Sequence, residues 1–285
     1  MSVNIQWFPG HMAKARVKIQ EKLKFVDIVY EMLDARLPIS SRNPMLDKIL
    51  QQKPRLLLIN KSDLGDCVQL KKWRGHFKEQ GYDSLTINAK QNTSVKKIIS
   101  ESKVVLKEKL KRNEARGLKP QAIRAMIIGI PNVGKSTLMN RLVGQKKAQV
   151  GNKPGVTKGQ QWIRLNSDLK LLDTPGILWP KFEDEEVGKK LALTGAIKDQ
   201  LLDADDIALF GLAFFVNHFP KRVMERYSLT DNDLSLSTVD LLLLISQKRG
   251  FKDDYERASL MIIQEIRVGK LGPYTLDLIG GDLNI

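Results

Sequence analysis

The 285-residue chain is long enough for one sizeable α/β domain and a smaller one, and its 42% hydrophobic and 28% charged residues are the composition of a soluble globular protein, so disorder is not the default reading. Forty-seven Lys and Arg against 32 Asp and Glu leave a formal charge of +15, which points to a polyanionic partner, either nucleic acid or an anionic membrane surface, or else to mere solubility. A single cysteine, Cys67, excludes an intramolecular disulfide and a cysteine-based zinc site, and no apolar run approaches a membrane span.

In chain order, residues 12–24 place Met12, Ala15, Ile19 and Leu23 at helical spacing, with Lys and Arg between them. A strand-like run over 25–33 follows, and Asp34-Ala35-Arg36-Leu37-Pro38 breaks it, because proline disfavours helix in the residue before it. A short helical stretch leads to Arg55-Leu56-Leu57-Leu58-Ile59, a run without alternation and so a strand buried on both faces, which ends in Asn60-Lys61-Ser62-Asp63. Next come a helix, a strand at 84–87 and a long basic helix over 93–110, and residues 111–122 read as a solvated linker. A second buried strand, Ala125-Met126-Ile127-Ile128, runs into Gly129-Ile130-Pro131-Asn132-Val133-Gly134-Lys135-Ser136 and a helix that begins at Thr137. Strands near 161–166 and 169–172 lead to Asp173-Thr174-Pro175-Gly176, after which the pattern is helical over 186–202, 205–217, 236–248 and 254–268. Strands alternating with helices predict an α/β domain over 1–180 with a mostly parallel sheet covered on both faces, followed by a small all-helical domain over 181–285.

The chemistry is concentrated at the strand ends. Residues 129–136 match G-x-x-x-x-G-K-S, a loop whose glycines let backbone N–H groups and a helix N-terminus face phosphates. Lys135 would reach the β- and γ-phosphates, and the Ser136 hydroxyl would ligate magnesium. Such a loop does not choose the base, but the segment 60–63 does. A carboxylate at Asp63 can accept from the N1–H and 2-amino groups of guanine, whereas adenine would leave it unpaired. Lys61 can lie over the base, and Asn60 can tie this loop to the phosphate loop. Asn88-Ala89-Lys90, after the strand at 84–87, would run under the guanine. Asp173 would hold magnesium, through water, and the Gly176 N–H would face the γ-phosphate, while Thr157 offers the threonine that closes on the metal. Read singly, Thr157 and the 88–90 segment are ordinary loop residues.

These motifs form a recognisable set in a rotated order, with the base-reading elements before the phosphate loop. The chain thereby resembles the circularly permuted GTPases. Trp7-Phe8-Pro9-Gly10-His11-Met12-Ala13-Lys14-Ala15, the 34–38 segment and Gly272-Pro273-Tyr274-Thr275-Leu276-Asp277 are similar to the ribosome biogenesis GTPase A (YlqF) branch. The resemblance implies a P-loop GTPase domain over 1–180, a helical RNA- or ribosome-binding domain over 181–285, and hydrolysis of GTP to GDP and phosphate. Nucleotide contacts are then expected from Asn60, Lys61, Asp63, Asn88, Ala89, Lys90, Asn132, Val133, Gly134, Lys135, Ser136, Thr137 and Gly176. Magnesium is expected on Ser136, Thr157 and Asp173, and potassium beside Asn132. The implied partners are a precursor of the large ribosomal subunit and its rRNA. The chain is expected to act as a cytoplasmic monomer without a membrane role, since no lipid-anchor or signal-peptide pattern is found.

In Ras-like proteins a glutamine after DxxG orients the attacking water, but here the following residue is Ile177, which cannot hydrogen-bond water. Rotation of the order should bring the 12–24 helix to the slot after that motif, with His11 near the γ-phosphate as the catalytic candidate. The resemblance points to the same residue. Two other classes compete with a GTP-driven assembly factor. A metabolic P-loop kinase is opposed by the 60–63 motif, whereas a nucleic-acid-binding module that only senses GTP is separated by turnover in the presence of ribosomes.

Overall fold

The computed structural model describes residues 17, 19–91, 93–143, 162–164, 168–172, 184–197 and 203–280. They divide into a sheet-containing unit and a helical unit, Phe182–Leu276.

Among the described residues six strands form one sheet: β1 Ile28–Asp34, β2 Arg55–Asn60, β3 Asp83–Thr86, β4 Ile123–Gly129, β5 Trp162–Arg164 and β6 Leu169–Leu172, in the order β3-β2-β1-β4-β6-β5. Every pairing is parallel except β5 with β6. Each residue of β1 and β2 is buried, as their unbroken apolar runs predict for strands covered on both faces. Alternate side chains of β1 serve opposite faces. Val29 packs in a cluster with Leu46, Ile49 and Leu50 of helix α1 (Met45–Leu50), and Leu33 packs with Leu70, Trp73 and Phe77 of α2 (Cys67–Glu79). Tyr30 turns to the other face, where its hydroxyl shares a 2.7 Å hydrogen bond with Ser102 of α3 (Thr93–Val105). Each such apolar side chain, fully buried, contributes about 1.5–3 kcal/mol relative to exposure.

Counted from the phosphate-loop strand β4 and wrapped through β1, the sheet order becomes 2-3-1-4-5-6, so the rotated sequence closes into one continuous sheet. The basic helix breaks at Leu106, and α4 (Lys107–Ala115) carries it into the segment read as linker. It ends there in a Schellman motif: Gly117, at φ +68°, donates to Glu114 O and Leu118 donates to Asn113 O. The linker therefore starts later than its polar composition suggests. Residues 19–23 are helical, within the helix expected over 12–24.

The helical unit holds α6 (Glu185–Leu193), α7 (Ala204–His218), α8 (Pro220–Tyr227), α9 (Thr238–Lys248) and α10 (Tyr255–Arg267), while α5 (Lys135–Val143) belongs to the sheet unit. Asp184, Asp203, Ser237 and Asp254 cap α6, α7, α9 and α10 by accepting from backbone N–H groups of the first turn. The helix expected over 186–202 ends at Leu193 instead. Gly195 there takes φ +75°, and the Arg267 guanidinium donates to the carbonyls of Ala192 and Leu193. Helix α8, absent from the periodicity reading, starts with Pro220 in its first turn and buries Val223 and Tyr227.

One boundary moves. Residues 277–280 belong with the sheet unit and not with the helical domain expected over 181–285. The Asp277 carboxylate accepts from Ile39 N (3.0 Å), Ser40 N (2.8 Å) and Ser40 Oγ (2.6 Å), and its carbonyl accepts from Trp73 Nε1 at 2.7 Å.

Candidate functional site

In a parallel sheet the crevice beyond the carboxyl ends, at the point where strand order reverses, is the natural binding site. Here that point lies between β4 and β1, and the register aligns Met32 with Gly129 and Asp34 with Asn60. The loop 129–136 leaves β4 and enters α5, so its backbone and the helix N-terminus form a concave donor surface suited to an anion.

Two glycines are fixed by geometry. A Cβ at Gly129 would lie 2.6 Å from Met32 O, and one at Gly134 would lie 2.3 Å from Asn60 Nδ2, where φ is already +103°. The close approach at Gly134 exists because Asn60 joins three segments. Its Nδ2 donates to Val133 O at 2.8 Å, and its Oδ1 accepts from Ala89 N at 2.9 Å. The link between base loop and phosphate loop expected of Asn60 is thus present, together with the 88–90 segment. Ser62 N donating to Ile87 O closes the same junction. Asn88 Oδ1 accepts from Lys90 N, and Arg141 of α5 donates to Lys90 O.

Lys135 is buried, with its ammonium donating to Gly129 O and Ile130 O at 3.1 and 2.7 Å. Ser136 and Thr137 are half-buried in the first turn of α5, while Asn132 is exposed in a left-handed conformation at φ +56°. Val133 is buried under the loop. Asp63 is exposed, and its carboxylate has no partner among the described residues.

Lys61 differs from its sequence reading in one respect. Its ammonium is 2.8 Å from Asp34 Oδ2, a buried carboxylate at the end of β1. Asp34 is also held in a fork by Arg36, with Nε to Oδ1 at 2.9 Å and a terminal nitrogen to Oδ2 at 2.8 Å, and it accepts from Arg36 N as well. Burial alone would raise the Asp34 pKa, but the charges of Arg36 and Lys61 outweigh it and hold the carboxyl well below the usual carboxylate range. Burial in turn pulls the Lys61 ammonium below its ordinary value, with Asp34 opposing. Sequence reasoning marked the 34–38 segment without giving it work. The available signal is an acid that closes a wholly buried strand two residues before an arginine, since such a charge requires a partner.

No group of three or more His, Cys, Asp or Glu side chains among the described residues could hold a metal alone. The Ser136 hydroxyl, beside the buried Lys135, fits the other arrangement, in which magnesium keeps water and phosphate ligands and takes a single protein oxygen. His11, Thr157, Asp173 and Gly176 lie outside the described residues.

Residues 124–268 match the family described as 50S ribosome-binding GTPase. Over 280 residues, 96% of this chain and 99% of the relative, the sequence is 51% identical to ribosome biogenesis GTPase A of Bacillus pumilus. The fold is similar to that of GDP-bound YlqF (TM-score 0.65, 27% identity, 92% of this chain and 98% of the other). It is also similar to that of GNP-bound YlqF from T. maritima (TM-score 0.61, 29% identity, 91% and 95%). The chain belongs to the ribosome biogenesis GTPase A (YlqF) family. It is therefore a circularly permuted P-loop GTPase that hydrolyses GTP, a family chemistry that uses magnesium. The Asn60 junction joins the 60–63, 88–90 and 129–136 loops, which the sequence separates by more than the length of a strand and helix.

Proposed function

We propose that this chain is a GTP-driven assembly factor for late maturation of the large ribosomal subunit, cytoplasmic and monomeric, with hydrolysis stimulated by the ribosomal particle. One observation carries the reading: 51% identity to a ribosome biogenesis GTPase A over nearly the whole of both chains. The hydrogen bond that ties the 60–63 loop to the phosphate loop and a formal charge of +15, suited to rRNA, support it. No described helix is long and apolar enough to cross a membrane.

In this reading Asp63 selects guanine, the aliphatic stem of Lys61 lies along the base while Asp34 holds its ammonium, and Asn88, Ala89 and Lys90 run beneath. Asn132, Val133, Gly134, Lys135, Ser136 and Thr137 hold the phosphates, and Gly176 meets the γ-phosphate. Ser136, Thr157 and Asp173 hold magnesium, which neutralises phosphate charge. Asn132 also places its side-chain oxygen beside a potassium ion. His11 orients the attacking water that Ile177 cannot, and docking on the particle brings it into position. The helical unit and the basic linker bind rRNA.

Sedimentation with immature and mature large subunits in GTP, GDP and a non-hydrolysable analogue tests the reading. Co-sedimentation with immature subunits in the GTP and analogue states, and release in GDP, is expected. Equal binding under all three conditions, or none, would overturn it.

A further inference from the structure

The amino ends of the parallel strands form the edge of the sheet opposite the nucleotide loops. Residues 25–27 lead into β1 there, and each is held differently. Val26 is buried, and its carbonyl accepts from Lys53 Nζ at 3.0 Å. The Asp27 carboxylate accepts from Lys109 Nζ at 2.7 Å, from Arg124 N at 2.8 Å and from the Arg124 guanidinium at 3.2 Å. Phe25, between these anchors and the helical residues 19–23, is 44% exposed. The ammonium groups of Lys22 and Lys24 lie 5.8 and 5.0 Å from its ring centroid. Lys24 and Lys53 also border an open groove of about 310 Å³.

The group is not balanced by its own acid. Partial burial, then Lys109 and Arg124, push the Lys53 ammonium below its usual range, with Asp27 opposing them. Cations crowded around one carboxylate leave a positive edge, and a partly exposed aromatic ring with two ammonium groups near its face stands within it. Phosphates find cations tied in place by Asp27 and Val26, and an unpaired base finds a ring face, the combination by which single strands are held. A lipid surface would need a wider apolar face than one ring.

We propose that this edge docks single-stranded RNA, with a base stacked on Phe25 and adjacent phosphates on Lys22, Lys24, Lys53, Lys109 and Arg124. The inference rests on the reading of rRNA as the polyanionic partner, and it adds a second contact region to those assigned to the linker and helical unit.

The test is a fluorescence anisotropy titration of the full chain with a labelled single-stranded RNA of about twelve nucleotides, a length within the range of such sites. Phe25→Ala should weaken binding about tenfold or more, and Phe25→Tyr, which keeps the ring, should restore it. Replacing Lys22 and Lys24 by Gln should lower the slope of log affinity against log salt by about 1.4, since each phosphate contact on a single strand accounts for about 0.7. GTP turnover without RNA should be unchanged in all three variants. Wild-type RNA affinity in Phe25→Ala would overturn the proposal, as would a loss seen only on phosphatidylglycerol vesicles. Pelleting with large subunits separates this failure from that of the function. Phe25-dependent RNA binding by a protein that ignores subunits would sink the assembly role and leave this edge standing. Subunit binding with no Phe25 effect on RNA would sink only the edge.

Discussion

Asn60 and Asp34 are both buried at the ends of neighbouring strands, and each holds other residues of the chain in place. Asn60 sets the distance between two loops, whereas Asp34 fixes a lysine. For Asp34→Asn, removing one member of a buried ionic group should cost about 3–5 kcal/mol, measured by urea unfolding at neutral pH. The pH dependence has a definite sign. Because the Asp34 carboxyl is held below its unfolded value, its contribution is complete above about pH 4 and is lost as pH falls further. The stability gap between wild type and Asp34→Asn should therefore hold steady from neutral pH down and narrow only in acid. A gap that closes near neutral pH would contradict the assignment. Asp63→Asn makes a different change. The exposed amide can donate to the 2-oxo group of xanthine, so competition binding should show guanine nucleotide lost and xanthine nucleotide gained. Unchanged GTP affinity would remove Asp63 from the base site.

At the scale of elements, the strands were the most legible part of the chain. β1, β2 and β4 are nearly continuous apolar runs because helices cover both of their faces, and their loops carry motifs with fixed spacing. Helix ends were less legible. The stop at Leu193 depends on Arg267, which is distant in sequence, and α8 is too short for its period to stand out. The return of the chain at Asp277 was not legible, since no local pattern shows that this acid meets the backbone of residues 39 and 40. That contact lies beside the site: Ser41 Oγ, one residue further on, accepts from Asp34 N. Asp277→Ala would leave two backbone N–H groups without their acceptor, at a cost of about 2–4 kcal/mol in chemical unfolding. It should also weaken GDP affinity by loosening the segment under Asp34. A destabilised variant with wild-type GDP affinity would make the tail a structural strap alone.

At the scale of the whole molecule, rotation of the sequence leaves the sheet order intact and changes which elements are covalently continuous. Base-reading loops precede the phosphate loop, and the helical unit is joined to the sheet unit at both of its ends, through the chain that follows Gly176 and through Asp277. The excess of Lys and Arg was legible from composition, but its placement at the amino edge around Phe25 was not, since Lys53, Lys109 and Arg124 meet only in the fold. The most direct measurement is steady-state GTP hydrolysis by the full chain with and without purified large ribosomal subunits, with His11→Ala alongside. Slow turnover alone, marked acceleration by the particle, and loss of about 10²-fold of the stimulated rate in His11→Ala at unchanged GTP affinity are expected. A wild-type rate that the particle leaves unchanged would contradict the reading of this chain as a ribosome-driven GTPase.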